Sequence, residues 1–382
     1  MPYPLLLHAH HHPNAVYEPF GEWVVPWRFE DVETEYARLR SAVGLIDYST
    51  QGCVTVGGED RVSFLHNLLS NDIKRLVPGA GCRAALLTST AKLIAELLVL
   101  ADSTTIRLLC DATRTAAVAK TLEHYCFRER VVVTNQERSQ AVLALQGPRT
   151  MECLTNLLGT VVSLPQPGDH MSVSLGGIPG RLVRYTLTGE AGVLCLVPAE
   201  QAQPAWEYLQ HAGSAHGLGL VAWEALNVAR IEGGLPWFGQ DMDEETLLPE
   251  TGLERVALSE TKGCYVGQEI MARLQSQGSV SKRLMGLELE GNDVPEPGAS
   301  LLAAASGHRN APTAPGEPRP TWGRGEALGR VTSACFSPTL GRAIAMGYVK
   351  RSAYAPGTPL LILHRGTPLL ARVVNRPFVP AK

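Results

Sequence analysis

The sequence predicts an α+β protein that ends in a separate all-β unit, and three observations carry that reading. The chain has 382 residues, 45% of them hydrophobic and 19% charged, which gives two to three domains' worth of chain a sizeable core. Strand-type and helix-type periodicities alternate up to Ser281 without the strict βαβα rhythm of a doubly wound fold. From Lys282 onward helical periodicity stops, and short β-type runs alternate with Gly/Pro turns, the pattern of a small barrel or sandwich.

Taken in order, the first thirty residues read as irregular, rich in Pro, aromatic residues and His. Asp31 to Arg40 reads as an amphipathic helix with Val32, Tyr36, Leu39 and Val43 on one face and Gly44 as its stop. A short strand follows at Val54 to Val56, and Asp60 is placed to cap a helix that buries Val62, Leu65, Leu68 and Leu69. Strands are expected at Leu86-Leu87, Leu93 to Leu100 and Ile106 to Cys110, then a helix from Thr113 to His124 and a strand from Arg130 to Thr134. Ala141 to Leu145 is an apolar strand, and Gln146-Gly147-Pro148 opens a helix. Strands at Met171 to Leu175, Arg181 to Leu187 and Val193 to Val197 precede helices at Ala199 to Ala212 and Val221 to Glu232. The barrel strands are Arg283 to Leu289, Leu328 to Cys335, Ala343 to Val349, Leu360 to Leu363 and Leu369 to Val374. Residues 305–327, rich in Pro and Gly, read as a mobile excursion from the barrel.

Charge and cysteine usage exclude several classes. Thirty-four basic against 37 acidic residues leave a net charge of −3, which removes the electrostatic reason to expect a dedicated nucleic-acid binder. No apolar run reaches the roughly 18 residues of a membrane-spanning helix, and the N-terminus has no basic stretch ahead of an apolar core, so no secretion signal and no membrane partner are expected. The eight cysteines contain no C-x-x-C pair and read as reduced thiols of a cytoplasmic protein.

One octet stands out: Lys262-Gly263-Cys264-Tyr265-Val266-Gly267-Gln268-Glu269. Two glycines bracket the Cys-Tyr pair, so the backbone can turn tightly and present the thiol. Lys262 is two residues away and Arg273 follows, and nearby positive charge favours the thiolate. The competing reading is a buried structural cysteine. Three other clusters invite bland readings. Arg230 and Glu232 suit a structural charge pair, Asp241 to Glu245 a solvated acidic loop, and His8, His10, His11 and His12 a polar terminus.

The octet, with Ile270-Met271-Ala272-Arg273 after it, resembles the signature of the YgfZ family of folate-binding-type proteins. The rest of the chain resembles the wider superfamily of the glycine-cleavage T-protein. The elements that carry this are Arg40-Ser41-Ala42-Val43-Gly44-Leu45-Ile46-Asp47, Leu68-Leu69-Ser70-Asn71-Asp72-Ile73, Leu145-Gln146-Gly147-Pro148, Arg230-Ile231-Glu232 with Gly239-Gln240-Asp241-Met242-Asp243, and Ser337-Pro338-Thr339-Leu340-Gly341. The resemblance implies two interleaved α+β domains around a folate-sized cavity, plus the C-terminal barrel. Their implied extents are 1–52 with 136–262, 53–135 with 263–282, and 283–382.

For function, the resemblance implies an accessory factor for maturation or repair of [4Fe–4S] enzymes, including those of tRNA modification. Cys264 is then the functional thiol, supported by Lys262, Gly263, Tyr265, Gly267, Gln268, Glu269 and Arg273. A tetrahydrofolate-type cofactor is implied for the cavity, with Glu96, Asp111, Arg230 and Glu232 as candidate binding residues and no metal site. Iron–sulfur client or assembly proteins are the implied partners. Direct tRNA contact stays open, without support from the net charge. The alternative is a tetrahydrofolate-dependent aminomethyl- or methyltransferase of the T-protein type. Departures from the T-protein pattern bear on it. The catalytic aspartate's position holds Glu96, and the acid before it is Ala95. The pterin-binding glutamate, a nearby tyrosine and an arginine are replaced by Leu194, Leu187 and Leu226-Asn227. Losing a Glu and its Arg partner together leaves no unpaired buried charge.

Overall fold

A computed structural model describes residues 3–5, 7, 14–276, 278, 280–304 and 327–380. The histidines at 8, 10, 11 and 12 and the excursion at 305–326 lie outside the described residues.

Two sheets and a barrel make up the molecule. A six-stranded sheet runs in the order His170–Leu175, Ile178–Arg184, Gly192–Pro198, Gln140–Gln146, Val43–Asp47, Leu218–Leu220. A five-stranded sheet runs Gly81–Leu87, Leu93–Ala101, Thr105–Asp111, Gln51–Gly57, Val132–Asn135. The strands from Lys282–Leu289 to Thr367–Val374 close a six-stranded barrel. This is the α+β arrangement with a C-terminal barrel that the periodicity predicts.

Period-2 alternation decides what each sheet face meets. On the Leu93–Ala101 strand, Ala95, Leu97 and Val99 pack outward against the Arg61–Leu68 and Thr115–Tyr125 helices. Leu98 and Leu100 point the other way, into a shared central core. From the six-stranded sheet, Val142 and Ala144 enter the same core, while Leu143 and Leu145 pack under the Thr150–Leu158 and Ala202–Ser214 helices. The Trp223–Glu232 helix lies in that core, and barrel residues Ile344, Met346 and Tyr348 reach it from the third side.

Four local expectations are corrected. The Val32–Ser41 helix is capped by Asp31, whose carboxylate accepts from Thr34 N–H at 2.8 Å, but it ends before Val43. Val43 starts a buried strand and Gly44 is inside it, because a Cβ there would lie 2.6 Å from Val221 and 2.8 Å from Leu39. Asp60 does not cap its helix; its carboxylate accepts from Arg130 N–H at 2.8 Å. The N-terminal stretch is not wholly irregular, since Val16–Phe20 and Trp23–Arg28 form an antiparallel pair. The acidic loop is not wholly solvated either: Asp241 is buried, with 1% of its surface exposed.

Two buried ionic clusters join the α+β part to the barrel. Arg40 binds Glu190 (3.0 Å) and Glu232, and Glu232 also accepts from Tyr36 and Ser337. Arg230 binds Asp241 and donates to Ser333 at 2.6 Å, and Thr332 donates to the other Asp241 oxygen at 2.6 Å.

Candidate functional site

Where the inner faces of the two sheets meet the loop after the Trp223–Glu232 helix, they leave a cavity of about 910 Å³, its open mouth included. Aromatic rings form much of its wall: Phe20, Trp23, Tyr48, Tyr185, Trp223, Trp237 and Phe238. Tyr48 stacks on Trp223 (centroids 5.7 Å apart, 22° between planes), and Phe20 meets Trp237 edge-on at 5.3 Å. Such packing presents flat aromatic faces to the cavity.

Two carboxylates line this aromatic space. Glu96 faces it from the Leu93–Ala101 strand and is bound by Arg83 of the neighbouring strand, whose Nε donates to Oε1 at 2.8 Å. Asp111 ends the Thr105–Asp111 strand, and its Oδ1 accepts from Thr113 N–H (2.9 Å) and Thr113 Oγ1 (2.6 Å). Burial pushes the Asp111 carboxyl above the usual range, against the Thr113 hydrogen bonds. Burial also pushes the Tyr185 phenol up to about 12. The last pair of the ladder between these strands is Leu98 opposite Leu109, and the same register carried two residues on sets Glu96 level with Asp111.

Four candidate binding residues were expected here, and two of them line the cavity: Glu96 and Asp111. Arg230 sits one layer behind, its guanidinium 4.6 Å from the Trp237 ring centre and its charge spent on Asp241. Glu232 is fully buried in the Arg40 cluster. The Ala95 departure does not touch the cavity, because Ala95 points into the outer core. Leu187 and Leu194 do line it, as apolar wall. Arg83 was missed from the sequence, since a lone Arg in a strand carries no motif. Its strand parity relative to Glu96 was the available signal.

The octet lies apart from the cavity. Tyr265 and Met271 pack with Ala85, Leu87, Ala91 and Leu93, at one end of the five-stranded sheet. Lys262 is buried, and its ammonium donates to the carbonyls of His66, Leu69 and Asn71 around the C-terminus of the Arg61–Leu68 helix. Burial pushes it down to about 8. The ammonium therefore anchors the loop to that helix end, where a cation also suits the helix dipole. Arg273 pairs with Glu269 at 3.2 Å on the exposed face of the Gln268–Ser276 helix. Gly267 adopts φ +85°, and a Cβ there would lie 2.7 Å from the Thr88 carbonyl, whereas a Cβ on Gly263 meets nothing within 4 Å. Cys264 is exposed on this loop, and it is the one cysteine of the eight in that class.

Residues 6–260 match the GCVT N-terminal domain family, and residues 282–380 match the glycine cleavage T-protein C-terminal barrel domain. The chain is 31% identical over 368 residues to an aminomethyltransferase of Thermosynechococcus vestitus, covering 96% of this chain and 93% of that one. It is also 31% identical over 370 residues to an aminomethyltransferase of Symbiobacterium thermophilum, covering 94% and 92%. Among solved structures, the glycine cleavage system aminomethyltransferase T of Bartonella henselae superposes with a TM-score of 0.84 at 24% identity, over 99% of this chain and 98% of that one.

Proposed function

The chain belongs to the glycine cleavage T-protein family, and from that membership we propose that its central cavity binds tetrahydrofolate and serves transfer of an aminomethyl or methyl unit. The observation that carries this reading is the placement of two carboxylates, Glu96 and Asp111, in a cavity walled by stacked aromatic rings. The residues present fit the group. A pterin is a flat fused ring with a hydrogen-bonding edge, and it needs aromatic faces beside it and buried polar partners at its rim. Tyr48, Trp223 and Trp237 supply the faces, and Glu96, Arg83 and Asp111 the rim.

When bound, tetrahydrofolate supplies the nitrogens, one in the pterin ring and one in the adjoining linker, that carry a one-carbon unit. The chain's own part is to bind, orient and hold a proton. Asp111, whose carboxyl is raised by burial, keeps its proton to higher pH than an exposed aspartate and suits proton exchange in the cavity. Glu96 accepts from both Nε and Nη2 of Arg83, which fixes its side chain at the wall and suits it to positioning a ligand. Leu194 removes one charged acceptor worth about 1.5–3 kcal/mol, so affinity is expected below that of a T-protein with a glutamate there. The test is titration calorimetry with tetrahydrofolate and its formyl derivatives, followed by turnover with an aminomethylated carrier. Turnover that disappears in Asp111→Ala and Glu96→Ala supports the transferase. Folate binding without turnover leaves the accessory reading, and no binding refutes both.

The second reading is a YgfZ-like accessory factor for maturation or repair of [4Fe–4S] enzymes, including those of tRNA modification, working in the cytoplasm with iron–sulfur client or assembly proteins. The exposed Cys264 on a loop anchored by Lys262 favours it. The domain division 1–52 with 136–262, 53–135 with 263–282, and 283–382 is proposed with either reading. It is supported by a five-stranded sheet drawn wholly from 51–135.

A further inference from the structure

We propose that a second groove, between the loop that follows the Trp223–Glu232 helix and the outer face of the barrel, binds a small zwitterion of the α-amino acid class. The groove encloses about 630 Å³, its open mouth included, and among the described residues it shares no lining residue with the central cavity. Each of its two walls brings one charge that the fold leaves unspent. Of the acids in the loop, Asp241 is paired with Arg230, Glu244 with Arg114 and Glu245 with Lys92. Asp243 forms no ion pair among the described residues. Its Oδ1 accepts from Glu245 N–H (3.0 Å) and Thr246 Oγ1 (2.7 Å), and its Oδ2 accepts from none of them. On the barrel side Arg330 is exposed, and among the described residues its guanidinium has neither an ion pair nor a hydrogen bond.

The third group is a hydroxyl. Arg330 stands directly opposite Tyr348 in the antiparallel ladder, so both side chains leave the same face of the barrel. Tyr348 is 4% exposed, and its hydroxyl has no hydrogen-bond partner among the described residues. Thr246 lies beside it, but the Thr246 hydroxyl already accepts from Asp243 N–H (3.1 Å) and donates to Asp243 Oδ1. Burial pushes the phenol up, so it stays a protonated donor. A buried hydroxyl without a partner costs stability in the folded chain, and a ligand with an acceptor removes that cost.

A cation and an anion that share a groove without pairing with each other suit a ligand that carries both charges. The guanidinium takes the carboxylate in its planar fork, Asp243 takes the ammonium, and the phenol adds a donor at the floor. A simple anion would meet Asp243 and a simple cation Arg330, each at the cost of a like charge. Met242 and Pro297 supply apolar wall for a side chain.

The full-length protein is screened against the standard amino acids by thermal unfolding. The one that raises the midpoint most is taken to titration calorimetry, beside its amide, which lacks the carboxylate, and its 2-hydroxy acid, which lacks the ammonium. The wild type is expected to bind the amino acid about tenfold or more tightly than either analogue, the worth of one charged hydrogen bond. Arg330→Met should bind the amino acid no more tightly than the wild type binds the amide. Asp243→Asn, which keeps the acceptor for Thr246, should bind it no more tightly than the wild type binds the hydroxy acid. Tyr348→Phe separates binding from folding: it should melt at or above the wild type, since its hydroxyl has no partner, yet bind more weakly. If no amino acid raises the midpoint, the inference fails. It fails equally if the 2-hydroxy acid or inorganic phosphate binds as tightly as the amino acid, which would make the groove an anion site. Binding that survives unchanged in either Arg330→Met or Asp243→Asn overturns it as well, by placing the amino acid elsewhere. None of these outcomes depends on whether the central cavity binds folate.

Discussion

Arg230 and Asp241, eleven residues apart, form a fully buried ion pair that pins the loop after the Trp223–Glu232 helix to the barrel. Asp241 also accepts from Thr332 and Ser333, both barrel residues, and from Trp237 N–H at 3.0 Å. Trp237 is itself a wall of the cavity. The pair therefore holds one wall of the candidate site from behind without touching its interior.

This position yields the first prediction. Removing one partner leaves an uncompensated buried charge, so Arg230→Met or Asp241→Leu should each cost about 3–5 kcal/mol in chemical denaturation. The double variant should recover a good part of that loss, because no orphan charge remains. Folate affinity per folded molecule should change little in the double variant. Complete loss of affinity there would return Arg230 to the ligand-binding residues.

Asp111 gives a prediction in pH. Its folded carboxyl titrates above the unfolded aspartate, so between the two values the native state holds more protons and stability falls as pH rises. The stability contribution is present below the unfolded value of about 3.9 and is lost above the folded one. Asp111→Asn keeps an acceptor for Thr113 N–H and removes the half-buried charge. The variant should melt higher than wild type at pH 7, with the difference vanishing toward pH 4. Equal melting temperatures at pH 7 would show that the carboxylate is not penalised by its surroundings.

Much of this architecture was legible because burial imposes a period. Five of the six barrel strands and the Leu93–Ala101 strand could be read as short apolar runs bounded by turns, whereas the four-residue strand Ser300–Ala303 was too short to stand out. What was not legible depended on partners distant in sequence. Val43 extends the helical stripe of Tyr36 and Leu39, and only its pairing with Leu218 shows it to be a strand. Pro19 and Pro26 disguised two N-terminal strands, since proline argues against a strand interior. Asp241 sits in a run of acids, which reads as a solvated face until Arg230 is seen beneath it. Arg230 and Glu232, two residues apart on a helix, point to different sides and so take different partners, which their adjacency in a motif concealed.

The two glycines of the octet should behave oppositely. Gly267 adopts φ +85° with the Thr88 carbonyl in the way of any side chain, so Gly267→Ala should cost about 1–2 kcal/mol or more. Gly263 has open space around it and no left-handed backbone, so Gly263→Ala should fold with wild-type stability. Thermal melts of the two variants check this. A large loss in Gly263→Ala alone would mean that the loop needs freedom at the other hinge.

The last prediction concerns Cys264. Its thiol is exposed, whereas burial pushes the thiol of Cys53 up to about 11 and those of Cys82, Cys195 and Cys335 up to about 12. Since the thiolate is the nucleophile, those four stay protonated at neutral pH, and Cys53, Cys195 and Cys335 are also shielded by burial. Limited alkylation of the native protein near pH 7.5 should therefore label Cys264 first, as peptide mapping by mass spectrometry would show. Lys262 makes no hydrogen bond to the thiol: its ammonium donates to the carbonyls of His66, Leu69 and Asn71, and its charge reaches Cys264 only through space. Its effect is to hold the loop, so Lys262→Met should loosen the octet and broaden labelling beyond Cys264 to half-buried Cys82, which lies beside the same ammonium. Cys264→Ser changes neither packing nor hydrogen bonding of the buried octet residues and should keep the wild-type melting temperature. Under the accessory reading it should nonetheless fail to restore iron–sulfur enzyme activity in cells lacking the protein. Full restoration would assign the octet to anchoring alone and leave the cavity, with Glu96 and Asp111, as the place where the protein works.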